Sequence, residues 1–125
     1  MSQIASNVVD VPAPEGAVGQ PIDRAHLTRM TLGDRSLERE VLQLFERQAE
    51  MLLERMSEVE AASVPALAHT LKGSARGIGA WNVARAAEAL ELADGAAAEF
   101  EAAKRELAGT VAAARSIIAD LLRAH

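Results

Sequence analysis

Residues 63–80 read SVPALAHTLKGSARGIGA. Val64, Leu67, Leu71, Ala75 and Ile78 recur at three- and four-residue spacing, which marks a helix with one apolar face. Ser63 stands where an N-cap is needed, and Pro65 falls in the first turn, where its missing N–H has no partner to lose. Gly77-Ile78-Gly79 supplies the stop. A helix here decides the fold class, because the segments on both sides carry the same period.

Upstream, Asp23 caps a short helix that runs to about Leu32, and Gly33-Asp34 breaks it. Asp34 then caps a long helix over 35–60. Its predicted core stripe is Leu37, Val41, Leu44, Phe45, Leu52, Met56 and Val59. Downstream, a helix over 80–93 turns Val83, Ala87 and Leu90 inward. Asp94-Gly95 makes a turn, and a last helix over 97–123 carries Phe100, Leu107, Val111, Ala114, Ile118 and Leu121. Short connections favour antiparallel neighbours. The predicted fold is therefore all-α: an antiparallel four-helix bundle with a short additional N-terminal helix, over residues 22–125. Residues 1–21 hold three of the four prolines plus Gly16 and Gly19, and are expected to form a flexible N-terminal tail.

Composition agrees. The 125 residues fit one domain. Half of them are hydrophobic, only 2% are aromatic, and 27 are alanine, a balance that favours packed helices over sheets. The absence of cysteine excludes disulfides, thiolate nucleophiles and thiolate metal sites. His26, His69 and His125 are the only histidines, and no Asp cluster suggests a Mg²⁺ site, so no metal site is expected. A net charge of −5 and few aromatics argue against nucleic-acid binding. No apolar run is long enough for a membrane span. The N-terminus has neither a basic start nor a long apolar stretch, so no signal peptide is expected and a cytoplasmic location is.

His69 stands out against the helix geometry. At 100° per residue it lies roughly 200° from both Leu67 and Leu71, so it points outward. Lys72, Gly73 and Arg76 follow on its face, at i+3, i+4 and i+7. A mid-helix glycine costs roughly 1 kcal/mol relative to alanine. In so alanine-rich a chain, Gly73 therefore reads as space kept open beside the imidazole. The bland alternative is close helix packing at that glycine.

The run from His69 to Ala80 resembles the signature of histidine-containing phosphotransfer (HPt) domains. The matches are His69, Leu71, Lys72, Gly73, Ser74, Ala75, Ile78, Gly79 and Ala80. Leu90-Glu91 downstream, and Leu32-Gly33-Asp34, Leu37 and Leu44-Phe45 upstream, look similar too, so the resemblance covers about residues 22–123.

That resemblance implies a two-component phosphorelay, and the Ala- and Arg-rich usage points to a bacterial source. His69 would be the phosphoacceptor, taking a phosphoryl group through Nε2 from a receiver-domain aspartate and passing it to another. The implied partners are response-regulator receiver domains, including that of a hybrid histidine kinase. No cofactor is implied on this chain, since Mg²⁺ would belong to the receiver. The carrier is expected to be a monomer without kinase activity of its own. Lys72 would approach the phosphoryl group as a mobile charge, with Arg76 as a second cation and Ser74 as a small packing residue. Glu91, or Glu88 one turn earlier, would hold the Nδ1 proton of His69. Leu27, Met30, Thr31, Gln48 and Met51 form the expected docking face.

Two rival readings make different forecasts. A sensor-kinase dimerisation and phosphoacceptor domain would place an acidic residue after the histidine and a proline about five positions on. Thr70 and Ser74 stand there instead. A non-phosphorylated helical adaptor would bind a partner helix and carry no phosphate.

Overall fold

The computed structural model describes residues 19–93 and 97–124. Most of the expected tail, the Asp94-Gly95 turn and His125 lie outside the described residues. The architecture is all-helical, with no strand among the described residues. Helix α1 spans Arg24–Met30, α2 Arg35–Glu58, α3 Val64–Ile78, α4 Trp81–Leu92 and α5 Ala97–Ala124. A 3-10 turn at Ala61–Ser63 leads into α3. Helix α3 packs between α2 and α4, α5 packs on both α2 and α4, and α1 lies against α3. No helix among the described residues is long and apolar enough to cross a membrane.

The helix ends follow local chemistry. Asp23 accepts the His26 backbone N–H at 3.1 Å, and Asp34 accepts that of Leu37 at 3.0 Å. Each satisfies one orphan donor of its helix. Gly79 ends α3 in the left-handed region at φ 82°, with the Ala80 N–H donating to the Ala75 carbonyl at 2.9 Å. That six-residue return is a Schellman cap. Ser63 departs from expectation. It already has helical dihedrals at the end of the 3-10 turn, and its hydroxyl makes no cap bond.

Two expected core stripes shift. On α2 the buried positions are Glu38, Leu42, Phe45, Ala49, Leu52 and Met56. Leu37 and Leu44 are exposed, while Val41 and Val59 are half-buried at the edge of the core. The true stripe passes through a glutamate and an alanine, so a search for large apolar residues locks onto its neighbour one residue away. On α3, Ala68 is fully buried and Leu67 only half-buried. The small side chain sits at the centre because the helices come close there. The stripes of α4 and α5 follow the expected positions, with Phe100 half-buried at the rim.

Asp23 ties three elements together. Its backbone N–H donates to the Gly79 carbonyl at 2.9 Å, and its Oδ2 accepts the Trp81 indole N–H at 3.0 Å. The His26 ring meets Trp81 edge-on, with centroids 4.9 Å apart. The indole hydrogen bond, aided by the His26 N–H, holds the Asp23 carboxyl below its usual range despite burial. A depressed carboxylate contributes stability above its unfolded value, and that stability is lost as pH falls through the folded one. Asp23→Asn is therefore expected to cost about 1–2 kcal/mol at pH 7. In urea melts the gap from wild type narrows once pH drops below the ordinary value of 3.8. A gap that stays constant to pH 2.5 would contradict this origin.

Candidate functional site

His69 lies midway along α3 with its side chain 66% exposed. The residue before it, Ala68, is fully buried against the core. The stretch Ala84-Arg85-Ala86-Ala87 gives α4 three buried alanines, which lets α3 and α4 approach closely. Across that seam, Glu91 of α4 reaches His69. Its Oε2 lies 2.7 Å from Nδ1. Its other oxygen, Oε1, lies 2.8 Å from the Lys72 ammonium. One carboxylate is thus shared between the imidazole and the ammonium that stand one turn apart on α3.

Glu91 stands in the last turn of α4, where the helix dipole disfavours an anion. Its carboxyl is nonetheless held below the usual range, first by the hydrogen bond from Lys72 and then by that from His69, against the cost of burial. At neutral pH it is ionised, so it can only accept. A neutral imidazole that donates to it carries its proton on Nδ1, which leaves the lone pair on Nε2.

The remaining candidates are placed as follows. Glu88 does not meet His69; it faces Arg76, at 3.8 Å. The two carboxylates left open by the sequence therefore divide, Glu91 toward His69 and Lys72, Glu88 toward Arg76. A Cβ built at Gly73 would meet nothing within 4 Å, so close packing inside the chain does not require glycine there. The Lys72 side chain is only 13% exposed and is folded against Glu91. Ser74 is more than a packing residue, because its hydroxyl donates to Gln48 Oε1 at 2.9 Å and bridges α3 to α2. Among the described residues no group of three or more His, Asp or Glu is arranged to hold a metal ion.

The Lys72–Glu91 contact is the feature that spacing along one sequence missed. Lys72 and Glu91 are separated by a helix end and a turn, and only the α3–α4 register brings them together. The nearest signal was the pairing of cations at 72 and 76 with carboxylates at 91 and 88 in reverse order.

A family model described as the Hpt domain matches residues 40–123, more than half of the chain. No curated protein and no solved structure matches significantly. The match includes the exposed His69, its Lys72 and Gly73 neighbours and the Glu91 that faces them. The chain belongs to the Hpt domain family, which implies a phosphotransfer role in phosphorelay signalling.

Proposed function

We propose that His69 is the phosphoacceptor of a monomeric carrier that moves phosphoryl groups between receiver-domain aspartates. The supporting observation is an exposed imidazole whose Nδ1 is held by an ionised carboxylate at 2.7 Å. The Nε2 lone pair attacks phosphorus as the bond from phosphorus to the aspartyl oxygen breaks. The leaving carboxylate keeps the electron pair. The Nδ1 proton stays on the ring, and Glu91 stabilises the imidazolium that forms. Return transfer reverses these steps on a second receiver. The receiver brings the metal ion and the acidic pocket. Its aspartate reaches Nε2 over Gly73, where no side chain stands in the way. The helices supporting this site are proposed to form an antiparallel four-helix bundle with α1 at its flank, in keeping with their mutual contacts.

Docking uses the face next to His69. Leu37, Val41, Leu44, Gln48 and Met51 form a second stripe on α2 that faces away from the core centre. With Met30 of α1 and Gly77 of α3, several of these line a groove of about 290 Å³. Leu27 and Thr31 belong to its floor and not to the docking surface, since both are buried. Met30 and Met51 are half exposed or nearly so, at 56% and 49%. Met30→Glu and Met51→Glu are each expected to slow transfer about tenfold, a loss of about 1.4 kcal/mol in docking, with folding unchanged. Unaltered rates in both variants would move the docking face elsewhere.

Incubation with a phosphorylated receiver tests the proposal as a whole. The expected product is acid-labile, alkali-stable phosphate on a monomer. No incorporation from any receiver would favour a non-phosphorylated adaptor. An obligate dimer in light scattering would favour a sensor-kinase phosphoacceptor domain.

A further inference from the structure

We propose that Arg47 and Arg55, one turn to either side of Met51 on α2, select which receiver docks. The favoured partner sets an apolar side chain against Met51 and carboxylates against the two guanidinium groups. The inference rests on receiver docking beside His69 and adds the residues that choose among receivers.

The contacts between α2 and α3 place this row beside the imidazole. Ser74 bonds Gln48 at one level, and Val64 shares a cavity wall with Val59 at another. His69 stands midway between Ser74 and Val64 along α3. The level midway between Gln48 and Val59 along α2 falls between Met51 and Arg55. At 100° per residue, Arg55 returns to within about 20° of Gln48, on the side of α2 that meets α3. Residues four apart form a continuous ridge on a helix, so Arg47, Met51 and Arg55 make one row. All three are exposed. Gly73 puts no side chain between this row and the imidazole.

These cations serve no contact inside the fold. Neither guanidinium makes an ion pair or hydrogen bond among the described residues. Glu50 and Glu58 each stand three residues beyond an arginine, a spacing that permits pairing. Glu50 is drawn instead to Arg115 of α5, at 3.7 Å. Arg55 suits the negative end of the α2 dipole, but Arg47 is mid-helix and gains nothing of that kind. In a chain of net charge −5, two unpaired guanidinium groups flank a half-exposed methionine. That pattern complements an apolar surface edged by carboxylates. Opposite charge speeds encounter and fixes register, while a partner with a cation at the same place is repelled.

The test uses the full chain and a panel of receiver domains, taking the one that binds most tightly. Uptake from its phosphorylated form is measured at about 0.02 M and about 0.5 M salt, which changes the screening of exposed charges. Arg47→Glu/Arg55→Glu is expected to lower kcat/KM about thirtyfold at low salt, nearly all through KM, and no more than about threefold at high salt. Arg47→Lys/Arg55→Lys keeps the charges and is expected to stay within about threefold of wild type. Circular dichroism checks the folding of each variant. Across the panel, the charge reversal is expected to weaken receivers unequally and so reorder them. No loss, an equal loss at both salt concentrations, or a loss in kcat with KM unchanged would overturn the proposal. Equal weakening of every receiver would reduce the arginines to general attraction and overturn their selecting role. Titration of the unphosphorylated receiver into His69→Gln, with and without the two reversals, reads docking without transfer. The same thirtyfold or so weakening is expected there. If wild type takes up no phosphate, the phosphoacceptor reading falls, and this titration still decides the role of the arginines. If no receiver binds at all, the present proposal falls with it.

Discussion

His69→Gln is expected to abolish phosphoryl uptake, by at least about a thousandfold relative to wild type. Glutamine fits the space and can hydrogen-bond to Glu91, but its amide nitrogen has no available lone pair. Among the described residues neither His26 nor Ser74 is placed to substitute. His26 is part-buried against Trp81 and bound into the α1 cap, and Ser74 is held by Gln48 on another face of α3. Stability should change by no more than about 0.5 kcal/mol, because the side chain is largely exposed. Radiolabel transfer from a phosphorylated receiver, beside a thermal melt, separates the two effects. Persistent labelling in His69→Gln would place the acceptor elsewhere.

Gly79→Ala is expected to be the most damaging small substitution for the fold. Its φ of 82° lies in the left-handed region, where a Cβ costs about 1 kcal/mol. The added carbon would also lie 2.9 Å from the Asp23 carbonyl oxygen and 3.1 Å from the Asp23 Cβ. Backbone must move to relieve this. The Asp23 N–H bond to Gly79 and the Asp23–Trp81 bond are strained together, and α1 is displaced with them. A loss of about 2–4 kcal/mol follows, equivalent to a fall in Tm of about 10 °C. Melting by circular dichroism measures it, and a loss under 1 kcal/mol would refute the argument. His69, Lys72 and Glu91 do not depend on α1, so the ring tautomer should survive while transfer suffers through the disturbed groove.

The fold was largely legible because its punctuation is local. Asp23, Asp34 and Gly79 act on backbone groups within a few residues, so their positions reveal the helix ends directly. The face assignment on α2 was right at Phe45, Leu52 and Met56 and off at Leu37 and Leu44, for a physical reason. Two stripes one residue apart both carry apolar side chains, and burial chose the one containing Glu38 and Ala49. Periodicity alone has no means to rank them, since the ranking depends on which side α3 and α5 occupy. The second stripe then becomes the candidate docking face, a use that the core reading had hidden.

At the site, the outward aspect of His69 and its company with Lys72 and Gly73 follow from 100° per residue on one continuous helix. Those properties needed no tertiary information. The choice between Glu91 and Glu88, the engagement of Lys72, the hydroxyl bridge from Ser74 to Gln48 and the free space over Gly73 all required it. A rotation of α4 by one residue would move each carboxylate by about 100° around the helix and break the contacts. That register is set by the buried alanines and leucines of the seam, among them Ala68, Leu71, Ala87 and Leu90, which adjoin the charged groups it aligns. Local geometry therefore determined which residue is presented, and side-chain packing between α3 and α4 decided what holds it.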